Sequence, residues 1–589
     1  MKNIKFFILF LLLNIFGLSI WGLIPSSQNL VGDLINFIIF LFITTFPIYY
    51  LLKKNREKNY YTFSEILIRD HINTKKNSIN LPFFFIIFLI TLVSFLSFDK
   101  SLFFLDVYHD GLKLTPSMNY LISHKFFNSS YVESGFFPNF KTLIYYYFQK
   151  NLTIGSLYFI SYLIIFLNKI LLLFLWYLIV TKFNFTNKIK IVTFLLGSFF
   201  LLQLAVYDDF PHFLERHSLQ LLFFVLIFLH FFSDNKFTNF VVSLLISFIS
   251  VLLILWWIDI FVFTNLLFLI YLFLLFKLKE FFKIKIFLVN FFLIFILSII
   301  FLPTLEFKDF FSNLYSIFFE FNEFTFIKYP TPLDLNDGRA LKTLFFFSYF
   351  FFLFIYFFLK KSFNVSNNLR LFILLIIIVS VINYIYALGR SDSYHIKGSS
   401  GFLVFGLIFF HIYIIFNVRK IQIFFNRKLI FLFFNSLILL SCLFSELNFK
   451  KINNINNFSK NVKFFVSADD NYFLTEKNQD YVKLKSYYNS LISNNECVQI
   501  FTDETILPYL LKKQTCSKYF IYHILNNNRL QSKLINDLYQ KKPKYILVQS
   551  DIYKLSNFSN RLILVQDFIS SNYIFHEKFL HWTFFKLKD

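Results

Sequence analysis

The sequence predicts a polytopic α-helical membrane protein with roughly 13 transmembrane helices and a small α/β domain at its C-terminal end. Three observations predict it. Hydrophobic residues make up 57% of the 589-residue chain and charged residues 15%, with a mean hydropathy of +0.60; ordinary soluble proteins are about 25% charged. Apolar runs of about 20 residues, long enough to cross a bilayer, recur along most of the length. Lysine and arginine gather in the short segments between those runs, which is the pattern that sets membrane topology. The net charge of +23 would suit nucleic acid if it formed one patch. Dispersed among loops it does not, so the expected partner is the lipid bilayer and not nucleic acid.

The runs fall near 4–22, 33–52, 81–98, 152–180, 189–207, 217–233, 239–257, 258–277, 284–302, 341–359, 371–388, 399–416 and 429–446. The first lacks a small-x-small cleavage site and reads as a retained helix rather than a signal peptide. The run at 152–180 is too long for one upright span and carries Asn168 and Lys169, so it is expected to begin as a tilted or interfacial segment. TLIYYYFQKN (142–151) reads as part of the same surface-lying stretch, because tyrosine favours the interface. Basic clusters at Lys53/Lys54/Arg56, Lys182/Lys188/Lys190, Lys277/Lys279/Lys283/Lys285, Lys360/Lys361/Arg370 and Arg419/Lys420/Arg427/Lys428 share one side if the spans alternate. That side is then cytoplasmic, with the N-terminus inside and the C-terminal domain periplasmic.

The division falls at 1–446, a membrane domain, and 447–589, a soluble domain. In the second, FFVS (464–467), CVQIFT (497–502) and KYILVQS (544–550) read as short strands, and 480–493 and 532–542 as amphipathic helices between them. Strands alternating with helices indicate α/β structure. Cys497 and Cys516 are expected to form a disulfide in an oxidising compartment. Cys442 is a small apolar residue of the last span, and Asp469-Asp470 reads as a solvated turn.

The chemically loaded residues lie in outer loops (99–151, 208–217, 303–340 and 389–400). DVYHDG packs Asp106, His109 and Asp110 into six residues, with Glu133 further along the same loop. YDDFPHFLERH brings Asp208, Asp209, Glu215 and Arg216, WWIDIF brings Asp259, and ALGRSDSYHIKGSS brings Arg390, Asp392, His395 and Lys397. Any one such cluster is by default a solvated loop. Several on one side supply carboxylate bases together with cations that can stabilise a leaving anion. Asp-x-x-His-Asp and Asp-Asp-x-x-His leave a divalent metal possible, but no HExxH or CxxC pattern points to zinc and no cofactor is required. With twelve glycines and no Gly-rich phosphate loop, a nucleotide donor is not expected. A lipid phosphate carrying a sugar would reach these loops from within the bilayer. Asp106 or Asp110 would then serve as base, and Arg390, His395 or Lys397 would meet the phosphate.

HDG (109–111) followed by FFPNF (136–140), LGRSDSYHI (388–396) and LWWIDIF (255–261) resemble outer motifs of the GT-C class of polyprenyl-phosphate-sugar glycosyltransferases. That class includes protein O-mannosyltransferases, aminoarabinose transferases and arabinofuranosyltransferases. The resemblance extends to the architecture of nearly the whole chain. It implies inverting transfer of a sugar from a polyprenyl-phosphate donor to a glycan, lipid or protein acceptor, on the outer face of a bacterial inner membrane. Class members share a first-loop aspartate near donor and acceptor, which implies Asp110 or Asp106 as base, Asp110 preferred because it precedes Gly111. Substrate contacts would then come from His109, Glu133, Asp208, Asp209, Asp259, Arg390, Asp392, His395 and Lys397. The first loop departs from the class in having no adjacent acidic pair; Asp208-Asp209 lies in a later loop. Two other readings are a transporter or flippase for a lipid-linked saccharide, using Lys169, His230 or His411, and a non-catalytic envelope assembly protein.

Overall fold

The computed structural model describes residues 2–21, 30–56, 60–67, 86–87, 89, 91, 105–131, 135–183, 185–203, 213–301, 306–315, 338–361, 365–388, 391, 393–417, 463–464, 467–474, 479–493, 496–525, 528–549 and 562–588. The chain is a polytopic α-helical membrane protein carrying a small C-terminal sheet. Helices α1 (Lys2–Trp21) and α2 (Leu30–Arg56) pair side by side, and a short α3 (Phe63–Ile66) follows. The first loop folds into α4 (Gly111–Ser123), α5 (Phe136–Phe140) and α6 (Thr142–Gln149). The bundle continues with α7 (Ile154–Thr181), α8 (Asn187–Gln203), the single turn α9 (Phe213–Arg216), α10 (Ser218–Phe231), α11 (Lys236–Trp256), α12 (Ile258–Lys277) and α13 (Phe281–Phe301). After α14 (Phe307–Tyr315) come α15 (Gly338–Leu353), a π-helical turn (Phe354–Phe358), α16 (Asn367–Leu388), α17 (Ser393–Ser399) and α18 (Gly401–Asn417).

Among the described residues, seven helices are long and apolar enough to cross a membrane, within α2, α7, α11, α12, α13, α15 with its π turn, and α16. Shorter apolar helices lie in α1, α10 and α18. The expected spans near 81–98 and 429–446 lie outside the described residues, apart from four helical positions at 86, 87, 89 and 91. The helices arise where the sequence places them because long apolar runs satisfy every backbone group internally. Their ends are cut by local chemistry. Thr153 and Ser156 form a reciprocal capping box at the start of α7, and Asn235 accepts the first amides of α11. His124 and Lys150 stop α4 and α6 in the left-handed conformation.

The 28 residues of α7 make a rod of about 42 Å, against a hydrocarbon core of about 30 Å. It is one continuous helix, and its surplus length reaches the loop helices. α6 lies against it with Tyr147 and Phe148 exposed, as a surface-lying segment would be.

The C-terminal part holds α19 (Asp470–Phe473), α20 (Gln479–Leu491), α21 (Leu507–Leu511), α22 (Asn528–Lys541) and α23 (Ile563–Asn572). They surround a sheet of order β1-β2-β4-β3, with β1 (Gln499–Phe501), β2 (Tyr545–Gln549), β3 (Tyr573–Phe579) and β4 (Trp582–Leu587). β1 and β2 run parallel; β4 pairs antiparallel with both β2 and β3. A disulfide joins Cys497 and Cys516. The boundary expected at 446/447, together with Cys442, lies outside the described residues.

Two expectations need correction here. The two ends of FFVS are helical and not extended: residues 463, 464 and 467 are in helix, while 465 and 466 lie outside the described residues; Ala468 N donates to Phe464 O at 2.7 Å and the Phe464 ring packs on Tyr472 and Phe473. Asp469-Asp470 is not simply a solvated turn. Asp470 accepts the Ile154 amide at 2.9 Å and the Tyr509 hydroxyl at 2.8 Å, clasping the C-terminal part to the start of α7.

Candidate active site

DVYHDG forms the turn that leads into α4. Asp110 occupies the N-cap position, yet its carboxylate caps no amide of that helix. It turns away and accepts the Tyr158 hydroxyl at 2.6 Å and the Asp106 amide at 3.0 Å, while Lys113 Nζ lies 3.7 Å from its other oxygen. An aspartate that forgoes the capping bond suited to its position is one whose side chain is held for another purpose. Only 3% of that side chain is exposed. Burial raises its proton affinity, against the opposing pull of Lys113 and Tyr158. Asp106 behaves in the opposite way. Its side chain is 41% exposed and pairs with His109 Nδ1 at 2.7 Å. Despite partial burial, the His109 hydrogen bond and charge hold its carboxyl down at about 2. Two carboxylates one helical turn apart are thus pushed in opposite directions, the condition under which a pair divides acid and base roles.

The surplus length of α7 extends this cluster. Tyr158, Ser161 and Asn168 share one face of the helix by spacing. Tyr158 holds Asp110, and Ser161 shares a fully buried pair formed by Lys141 and Glu215. Ser161 Oγ also donates to Glu215 Oε1 at 3.2 Å. Asn168 donates to Leu214 O at 2.8 Å, which seats α9 against α7. Burial pulls the Lys141 ammonium down to about 8, although Glu215 beside it favours the charged form.

The next residue, Arg216, pairs with Asp259 at the start of α12 and donates to Tyr386 OH at 2.7 Å, its guanidinium 4.0 Å from the Tyr386 ring centre. Burial opposes its charge, and Asp259 with Tyr386 more than restores it. His217 joins Gln220 at 2.8 Å, and Gln220 exchanges amide hydrogen bonds with Asn383 on α16. This fixes the root of the Arg216 turn. The His395 ring lies 5.1 Å from Tyr386. Phe137 stacks on Trp256 at 3.8 Å. There the φ of 130° at Gly135 and its closeness to the Trp256 carbonyl admit no side chain.

The C-terminal part covers the cluster. Ile506 N donates to Val107 O at 3.1 Å and Thr505 Oγ1 to Tyr108 O at 2.5 Å. A Cβ at Gly111 would strike the backbone of Thr505 and Ile506. Asn119 and Thr515 exchange two more hydrogen bonds, at 2.9 and 3.1 Å.

Of the residues singled out from sequence, Asp106, His109 and Asp110 stand together; His395 lies beside Tyr386, which Arg216 links to Asp259. Lys397 sits half-buried on α17 near its end. Glu133, Asp208, Asp209, Arg390 and Asp392 lie outside the described residues. Lys113, Lys141 and Tyr158 were not foreseen, and Glu215 and Arg216 were noted only as loop residues. The visible signals were Lys113 three places after Asp110 and the excess length of the 152–180 run. Among the described residues, no three His, Cys, Asp or Glu side chains converge as a metal site would need. The residues weighed for transport have packing partners: His230 binds Tyr271 OH at 2.8 Å, and His411 binds Leu407 O at 2.7 Å. Lys169 is buried in α7.

No family model matches the chain, and no curated protein matches it. Among solved structures it is similar to ArnT from Cupriavidus metallidurans bound to undecaprenyl phosphate, at 12% identity and a TM-score of 0.46, covering 86% of this chain and 98% of that one. The apo state of the same protein gives 10% identity and a TM-score of 0.45 with the same coverage.

Proposed function

We propose that this protein is a glycosyltransferase that takes a sugar from a polyprenyl-phosphate donor and delivers it to a hydroxyl of a glycan, lipid or protein acceptor. The observation that carries this reading is the row of charge along the projecting end of α7: Asp106, Asp110, Glu215 and Asp259 interleaved with Lys113, Lys141 and Arg216. Such a row suits a membrane-dissolved donor that presents a charged head at the end of a span. Asp110 is the base that accepts the acceptor's proton, its affinity raised by burial. Lys113 and Arg216 offer positive charge to the departing lipid phosphate, with the buried Lys141–Glu215 pair behind them; Arg390, Lys397 and His395 belong to the same outer side. Substrate contacts are further assigned to His109, Glu133, Asp208, Asp209, Asp259 and Asp392. A second reading makes the Asp106–His109 pair the base, favoured by its exposure of 41% and 49% against 3% for Asp110. The cluster faces the periplasm of a bacterial inner membrane, with the N-terminus in the cytoplasm, and residues 447–589 form the outer domain.

The test compares lipid-linked sugars and surface glycans in cells without the protein, complemented by wild type, Asp110→Asn or His109→Gln. Loss of one surface sugar with accumulation of its lipid donor, rescued fully by wild type, in part by His109→Gln and not at all by Asp110→Asn, is the expected outcome. Rescue by Asp110→Asn but not His109→Gln moves the base to the exposed pair. An unchanged glycan profile in cells that make the donor removes the transferase reading.

A further inference from the structure

At the end of the bundle opposite the charged row lies a cavity of about 240 Å³. Helix α16 fixes the two ends, running from Arg370 beside the cavity to Tyr386 beside Arg216. The cavity is walled by Tyr49 and Lys53 from the last turns of α2, Tyr60 and Tyr61 from the strap that follows, and Ile355 and Leu359 from the π-helical turn and its end.

The strap is held in place. Tyr60 bridges to Lys360, Tyr61 N donates to Leu359 O at 2.7 Å, and Lys361 pairs with Glu65 at 2.9 Å. Beneath it the buried Arg370 donates from Nε to Phe358 O at 2.6 Å and lays its guanidinium 4.4 Å from the Tyr61 ring centre. Arg370 Nε thus caps a carbonyl at the end of the π turn, and π turns recur at functional sites. The strap, the π turn and the end of α2 therefore bound the pocket on three sides.

Its chemistry is amphipathic. Most of the lining is aromatic or aliphatic, and Tyr49, Leu52 and Lys53 of that lining belong to the last turns of the apolar stretch that ends at Lys54, where a span gives way to lipid headgroups. Lys53 is exposed there and makes no ion pair among the described residues, and the chain continues as KKNREK from 53 to 58. We propose that this cavity holds the headgroup and glycerol of an anionic glycerophospholipid. Lys53 meets the phosphate, and Tyr49, Tyr60 and Ile355 contact the glycerol and the first methylenes. Basic pockets between membrane helices recognise anionic headgroups on this principle.

The experiment is native mass spectrometry of the purified full-length chain with phosphatidylglycerol or phosphatidylcholine added. Wild type is expected to retain phosphatidylglycerol selectively, with excess inorganic phosphate failing to displace it. Lys53→Glu and Tyr49→Ala each weaken retention by about fivefold or more, the scale of one interfacial charge. Lys285→Glu, an exposed charge on α13 at the same end of the bundle, leaves it unchanged. Equal retention by Lys53→Glu and wild type overturns the proposal. So does equal loss in Lys285→Glu, or indifference between the two lipids. Unaltered melting of each variant in detergent keeps a failure to fold from passing as a loss of lipid.

Discussion

Asp110 owes its character to three neighbours acting against burial. Because Tyr158 and Lys113 both lower its proton affinity, removing either raises it. A base must be unprotonated, so Tyr158→Phe is expected to move the acid limb of the pH–rate profile to higher pH. Lys113→Met should move it further, since Lys113 is the larger of the two influences. Below the limb each unit of displacement costs about tenfold in rate. An unmoved limb in both variants would remove Asp110 as the titrating base. The same shift has a stability consequence of known sign. A carboxyl raised above its ordinary 3.8 contributes stability that is fully present below 3.8 and is lost as pH rises through the folded value. Asp110→Asn is therefore expected to melt no lower than wild type at neutral pH, which separates loss of chemistry from loss of fold.

At the scale of elements, α4 is pinned between the bundle and the C-terminal part, and Asn119 is the central pin. It donates to Ser129 O, Ser130 Oγ and Thr515 Oγ1 and accepts the Thr515 amide. Asn119→Ala leaves that buried amide unpaired, at a cost of about 1–3 kcal/mol. Faster proteolysis of the 496–525 segment, with the bundle unaffected, is the expected readout. The pattern of legibility follows the same division. Long apolar runs announced the helices because a span must be nearly uniform in composition. Asp106, His109 and Asp110 were visible because they fall within five residues of sequence. Lys141 was not, as one of 57 Lys and Arg whose partner Glu215 lies 74 residues away. The β3–β4 hairpin went unread because its alternation, YIFHEKFLHWTFFKL, sinks into a chain that is 23% aromatic. Phe464 departs from expectation for a related reason: a strand-favouring residue sits in a helical turn when Phe473 offers a surface to pack on.

For the molecule as a whole, the C-terminal part works as a lid over the first loop, and the Cys497–Cys516 disulfide ties the segment bearing Thr505 and Thr515. A loop of this length is worth about 3 kcal/mol in the chain-entropy account. Cys497→Ser with Cys516→Ser is expected to lower the melting temperature and to reduce transfer in parallel; unchanged melting would exclude a stabilising role. Topology carries its own test. A reporter that matures only in the periplasm, fused after Asp589, should be active, and one fused within the 53–58 basic segment silent. The hydrogen bond from Thr115 to Thr505 spans 390 residues of sequence. At ribosomal speeds of about 5–20 residues per second, roughly 20–80 s pass between the emergence of its two halves. Throughout that interval the nascent protein is threaded into the bilayer with its acidic turn uncovered. The protein is consequently born unfinished, and a transcript cut short anywhere before Thr505 would yield an inserted chain whose first loop stays uncovered.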